Sequence, residues 1–389
     1  MPGAGIRGGI RMRKKILLTL SLLAVLNLIL RDGLITPVHT FAAEQGSVRM
    51  PVDTVGYATS PAQVELVVEM AGRYGRSRSG AKATEGLPEG VMTAAICPHD
   101  DYLYAGPVYL EVMKRVKAPV VVIFGVCHSC RRAGIEGRLV FDSYDAWKGP
   151  YGNCEVSGLR EDLIAALPGE YVMVDNGLHA GEHSIESFIP FLQFPGFGGP
   201  EAEELRIVPV LVTRLKGELQ GKLAGLTASA LKEQMNRRGW VLGEDLAVLI
   251  SADCVHYGDR KWGGRNYAPF GTDREGYQRA LEQEMKIIDS SLTGIIDRAG
   301  LSRFRELVER DDLEWPYKVT WCGVYSIPFG LRTLLELCEL SGREKPEGFL
   351  LRYGTSLDAP ADPDRTLGLG MTNISTLRHW VGYAGLGYW

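Results

Sequence analysis

His99 in CPHDDYLYAG, His128 in FGVCHSC and His256 in SADCVHYG each stand just beyond a short apolar run, and Asp253 accompanies the last of them. Imidazole titrates near neutral pH and ligates metals through either ring nitrogen, so residues of this type serve proton transfer or metal coordination. In an open α/β sheet, side chains placed immediately after separate strands meet at the carboxyl edge although they are far apart in sequence. One loop histidine is ordinarily structural. Three at independent strand ends point to a shared site.

Two imidazoles fill only part of a metal's shell, and Asp253, Glu182, Glu186 and Cys322 are the candidate third ligands. Cys322, in TWCGVYSIPFG, precedes a helical pattern beginning at Val324, where a helix N-terminus would favour the thiolate. On spacing alone, burial of Cys322 as a small hydrophobe is an equal reading. A competing constellation lies in GLHAGEHSIE, where His179, Glu182 and His183 spell H-x-x-E-H, the inverted zinc-peptidase pattern of two histidine ligands and a glutamate base. Gly177 and Gly181 each weaken a helix there by about 1 kcal/mol, and regular helical spacing starts only at Ser184. Cys127 and Cys130 form a C-x-x-C around His128, either a redox pair or half of a zinc site that no second C-x-x-C completes.

The elements that must position these groups are legible as periodicity. Thr93–Cys97, Val120–Gly125, Ile207–Val212, Leu246–Ser251 and Phe349–Tyr353 are short continuous apolar runs and predict buried strands. Helical spacing is expected over Ala62–Tyr74, Pro107–Val116, Leu159–Ala166, Ser184–Gln193, Leu219–Arg237, Asp273–Ser291, Leu301–Arg310 and Val324–Leu340. The stretch from Gly72 to Gly90, rich in Gly, Ser and Arg, is expected as a loop. Alternating strands and helices imply an α/β fold, a three-layer αβα sandwich with a mostly parallel central sheet.

A net charge of −4 over 389 residues, with a pI near 6.0, gives no basic surface for a phosphate backbone, so no nucleic-acid partner is expected. The charge is unevenly spread. Arg11, Arg13, Lys14 and Lys15 precede an apolar run over Ile16–Leu30, followed by Thr40, Ala42 and Ala43, in the order of an export signal. The run is short of the roughly 20 residues a spanning helix needs. Residues 1–43 are therefore expected to be a signal peptide or N-terminal anchor, leaving a single domain over 44–389. The protein is then exported, periplasmic or extracellular, or anchored through residues 16–30, and cytoplasmic only if that segment is not part of it. Loss of its six basic groups and one acid would take the net charge from −4 to −9. Seven cysteines scattered from Cys97 to Cys338 are an odd number, so at least one thiol should stay unpaired.

The strings CPHDDYLYAG, GVCHS, EHSIESFIPF, SADCVHYG, WCGVYSIPFGL, LLRYGTS and VGYAG resemble, in order, the successive motifs of the Memo family, known in prokaryotes as AmmeMemoRadiSam system protein B. The similarity runs from about Arg49 to the C-terminus. This resemblance implies the fold of class III extradiol ring-cleaving dioxygenases (LigB-like). It implies metal ligands at His99, His128 and Cys322, with Asp253 and His256 at the open side of the metal and His183 lining the pocket. It implies a divalent or redox metal, iron or copper with zinc as a further option, and either a dioxygenase-like oxidoreductase or a non-catalytic protein that binds metal or peptide. In the enzymatic reading His256 moves a proton and Asp253 orients its ring. A small aromatic or peptide ligand in the cleft is implied as partner, as are radical S-adenosylmethionine and AMMECR-type proteins of a modification pathway, with a membrane contact only through the N-terminal segment. Two departures stand out. The family's P-H-A-G-Y reads PHDDY, placing Asp100 and Asp101 beside His99, and Ser129 replaces the second histidine of a pair.

Overall fold

The computed structural model describes residues 47–77, 86–258, 266–310, 317–358 and 368–389. The expected export segment over 1–43, with its apolar run, lies outside the described residues. Among the described residues no helix is long and apolar enough to cross a membrane.

Among the described residues thirteen strands form one sheet path with short side branches. They are β1 Val48–Arg49, β2 Ala94–Cys97, β3 Val120–Val126, β4 Leu139–Phe141, β5 Ala146–Gly149, β6 Gly152–Val156 and β7 Val172–Val174. After these come β8 Arg206–Val212, β9 Leu246–Ser251, β10 His256–Gly258, β11 Gly294–Ile295, β12 Glu347–Thr355 and β13 His379–Tyr388. The spatial order is β1-β5-β6-β8-β3-β9-β2-β13-β12-β11. The five strands from β6 to β2 run parallel, and β13 joins β2 and β12 antiparallel.

Strand alternation builds two cores. Val120, Val122 and Phe124 of β3, with Leu246, Val248 and Ile250 of β9, face one layer, where the helices Leu219–Arg238, Arg274–Ser291 and Ser326–Leu340 pack. Val121, Ile123, Ala247 and Leu249 face the other, covered by Pro61–Ser77 and Tyr102–Met113. Burial on both faces is why these runs are continuously apolar rather than alternating. The expected αβα architecture is the one observed.

Three expected helices differ, and strand β13 was not expected. The helix expected over Pro107–Val116 starts five residues earlier, at Tyr102, with Pro107 inside it. Ser184–Gln193 breaks into a short 3-10 turn, Glu186–Phe188, and one helical turn, Ile189–Leu192, because the Glu182 side chain captures the backbone N–H groups of His183 and Ser184. The first helix runs through to Ser77, into the stretch expected as loop, of which 78–85 lie outside the described residues. Strand β13 has no apolar run to announce it. Its glycines are required by close packing: a Cβ at Gly382 would sit 2.6 Å from the Tyr353 hydroxyl, and one at Gly385 would sit 2.8 Å from Val112.

Candidate metal centre

Strands β3, β9 and β2 are neighbours and parallel, so their carboxyl ends deliver His128, Asp253 and His99 side by side. Cys322 arrives from outside the sheet. A bridge between Val255 and Trp321 sets its segment against the β9 loop, with Cys322 N–H donating to Asp253 O at 3.2 Å and His256 N–H to Thr320 O at 3.0 Å.

Hydrogen bonds fix the ring orientations. Ser251 Oγ donates its one proton to Ser184 O at 2.6 Å, so towards His99 Nδ1, 2.8 Å away, it accepts. The neutral His99 ring therefore carries its proton on Nδ1 and presents a lone pair at Nε2. That Nε2 is buried without a hydrogen-bond partner, although Asp253 Oδ2 stands 3.4 Å away. His128 is held likewise, its Nδ1 lying 2.9 Å from Glu182 Oε1 and its backbone N–H 2.8 Å from Oε2. A carboxylate only accepts, so the Nε2 of His128 is also left for another partner.

The electrostatics are those of a closely packed thiolate and imidazoles. Burial opposes charge on Cys322, but the charge of His256 first, and then the polar contacts of the His128, His256 and His99 rings, outweigh it and push the thiol well below its ordinary range. Burial also opposes charge on His256, while the Cys322 thiolate and Asp253 raise it to about 10. His128 and His99 are raised against the same penalty, His128 chiefly by Glu182 and His99 chiefly by Asp253. Asp253 is held down to about 2 by His99 and His256, although its burial works the other way. A cation entering here would displace protons from these rings.

One ligand atom each from His99, His128 and Cys322 falls within 4.8 Å of the others. Two imidazoles and a thiolate suit a soft or borderline transition metal, and the orphaned His99 Nε2 is the buried polar atom such an ion would satisfy. Asp253 and His256 form an overlapping group with Cys322. His183 lies on the open side, its ring stacked on His128 at 4.8 Å, and burial together with the His128 charge lowers it to about 4, so it is a neutral wall. Glu182 belongs to a further group with His128 and His183.

The remaining candidates are placed elsewhere. Glu186 pairs with Arg49 and accepts from the backbone N–H groups of Val52 and Asp53. The H-x-x-E-H spacing does not form one face of a helix, because the helix Asn176–Ala180 ends at Gly181. His179 is buried with Nε2 on Val140 O at 3.0 Å, and among the described residues it joins no metal-ligand group. Cys127 and Cys130 are joined in a disulfide, which corrects the half-zinc-site reading, while Cys97, Cys154, Cys254, Cys322 and Cys338 are unpaired.

Sequence reasoning missed two supporting residues, Ser251 and Glu284, and the two aspartates it singled out beside His99 have partners of their own. Ser251 sets the His99 tautomer, and the final position of a strand ending beside a histidine loop was the available signal. Glu284 accepts from Trp321 Nε1 at 2.6 Å and Val255 N–H at 3.0 Å, the residues next to Cys322 and His256. Asp101 accepts from both N–H and Oγ1 of Thr372, which gives that departure from the family pattern a tethering role. Asp100 accepts from Tyr383 OH at 2.6 Å.

The model of the Memo-like protein family matches residues 79–372. The chain belongs to the Memo-like family. Among its Memo-like relatives, a MEMO1 family protein of Methanopyrus kandleri is 26% identical over 318 residues, covering 80% of this chain and 93% of that one. One from Methanococcoides burtonii is 27% identical over 273 residues, 70% of this chain and 83% of the relative. A third, from Aquifex aeolicus, is 33% identical over 165 residues, 42% of this chain and 54% of the relative. The matched region of the Memo-like family contains all six residues expected at the site: His99, His128, His183, Asp253, His256 and Cys322.

Proposed function

We propose that this protein is a metalloprotein that holds a redox metal, iron or copper, on His99, His128 and Cys322 and acts as an oxidoreductase of the extradiol-dioxygenase type. The observation that carries this reading is the convergence of His99, His128 and Cys322, with the buried Nε2 of His99 lacking a hydrogen-bond partner. A bound redox metal supplies Lewis acidity and electron transfer toward an oxygen-containing ligand. The chain supplies the proton chemistry. His256, with Nε2 3.0 Å from Cys322 Sγ, stands beside the centre where it suits moving a proton to or from a ligand on the open side. Asp253, ionised and 3.6 Å from that nitrogen, holds the ring in place. His183 walls the same opening as a neutral ring, and a small aromatic or peptide ligand is the class of partner it would meet.

One observation favours a second reading, metal binding without turnover of a bulky substrate. The cavity beside His128 and Cys322 is about 60 Å³, well below the roughly 300–1,000 Å³ of small-molecule sites. In this reading the thiolate ligand serves retention of copper or zinc.

Metal analysis of the purified chain and its His99→Ala, His128→Ala and Cys322→Ala variants tests the centre, with stoichiometric metal expected only in the unsubstituted protein. Oxygen uptake by the iron-loaded protein over a panel of catechols tests turnover. Uptake that His256→Ala abolishes supports the oxidoreductase. Retained metal with no uptake from any catechol favours the binding protein, and no metal in any preparation overturns both.

A further inference from the structure

The Cys127–Cys130 disulfide is unusual in what it does not do. It joins residues three apart, with a Cα–Cα separation of 5.4 Å, and so ties no two elements of the fold together. Constraint of the unfolded chain grows with the length of the closed loop, so a bridge this short is a poor staple. Among the described residues no other bridge exists, and Cys97, Cys154, Cys254 and Cys338 are buried singly. The bridge instead closes a ring of chain around His128.

Its two sulfurs are unequally placed. Cys130 is 2% exposed and packed in the core, whereas Cys127 is only partly covered. Both line the cavity shared with His128, Cys322, Arg131 and Arg214, beyond the end of β3. A disulfide opens by in-line attack of a thiolate on a reachable sulfur, with the other sulfur leaving as thiolate. Accessibility selects Cys127 as the sulfur attacked.

We propose that Cys127–Cys130 is a redox-active disulfide that exchanges with a dithiol through Cys127, and that its closed form clamps His128 at the metal centre. A partner thiolate bonds to Cys127 Sγ, the Cys127–Cys130 bond breaks, and Cys130 leaves and takes up a proton. The partner's second thiol, losing its proton, then displaces Cys127, so that two electrons pass from the dithiol to the protein and the partner leaves as its disulfide. With the ring open, the loop between Cys127 and Cys130 loses the covalent tie that limits where His128 can sit. The clamp rests on the metal centre proposed above, and the exchange chemistry does not.

The test equilibrates the full chain in glutathione buffers of graded reduced-to-oxidised ratio, quenches with acid and maps alkylated cysteines by mass spectrometry, with circular dichroism in parallel. Cys127 and Cys130 are expected to become free together while the chain stays folded. Cys130→Ser is expected to retain glutathione on Cys127, and Cys127→Ser to retain several-fold less on Cys130. A bridge that survives the most reducing buffer, one that opens only as the fold is lost, or equal glutathione on the two cysteines overturns the exchange. For the clamp, zinc ion is titrated into the oxidised chain and the Cys127→Ser/Cys130→Ser variant, with binding expected to be about tenfold weaker in the variant, as for other losses of support behind a ligand. Equal affinity overturns the clamp. Zinc bound by neither form removes the clamp together with the metal centre, while the alkylation map still decides the exchange.

Discussion

Cys322 Sγ lies 3.0 Å from His256 Nε2, so the soft anion of the site and a proton-retaining ring are direct partners. Each charge supports the other, which is why the thiol is pushed down and the imidazole up although both are half-buried.

His256→Ala removes that cation from the thiolate. The Cys322 titration midpoint should rise by about one pH unit or more, each unit corresponding to about 1.4 kcal/mol. Ultraviolet thiolate absorbance in metal-free protein reads this cleanly. Burial raises Cys97 and Cys254 well above the ordinary thiol range, Cys154 to about 12 and Cys338 to about 11, so they are silent at neutral pH. An unmoved midpoint would show that the other two histidines hold the thiolate alone.

Glu182 gathers four N–H groups, from His128 backbone and ring and from the backbones of His183 and Ser184. Glu182→Gln keeps the shape but leaves one acceptor oxygen and brings a donor against donors. Metal affinity should fall by roughly 10–100-fold, as for other carboxylates behind a histidine ligand. Competition against a chromophoric chelator measures it, and an unchanged constant would mean that packing alone orients His128.

Glu284 is expected to matter for stability as well as for the site. Its two oxygens bind Trp321 Nε1 and Val255 N–H, and burial raises its carboxyl to about 7. Glu284→Gln leaves one of these buried donors without an acceptor, a loss of about 1–3 kcal/mol. Urea unfolding should show an earlier midpoint at constant slope. No shift would place the Val255–Trp321 bridge beyond the reach of Glu284.

Asp101 gives a pH dependence with a defined sign. Burial and the neighbouring Asp100 raise its carboxyl to about 7, so from the ordinary carboxylate range up to that pH the folded chain holds a proton that the unfolded chain has lost. Its contribution is fully present below that window and disappears as pH rises through about 7. Asp101→Asn keeps an acceptor for Thr372 without the titration. Wild type should therefore lose stability relative to this variant between pH 5 and pH 8, and parallel unfolding curves at the two pH values would refute it.

Legibility followed how local the signal was. Strands β3, β8 and β9 and the helix Leu159–Ala166 were readable because burial on two faces, or a clean helical repeat, writes itself into a contiguous run. The strand-end histidines were readable for a related reason, since position after a strand predicts position in space. Strand β13 was not, because packing against Val108, Val112 and Tyr353 demands glycine where a strand former would normally mark the element. Nor was the role of Glu182, whose carboxylate lies 54 residues from His128 in sequence and meets it only once the sheet has formed. The H-x-x-E-H reading failed on a local cause, the helix end at Gly181.

The placement of β13 in mid-sheet has a consequence for the order of events on the ribosome. Gly382 exchanges backbone hydrogen bonds with Cys254 and Val255, so the segment carrying Asp253 and His256 is pinned by a strand made more than 120 residues later. The histidines and the cysteine emerge long before the frame that fixes them. Metal captured before β13 has been made and paired would meet a half-built cradle.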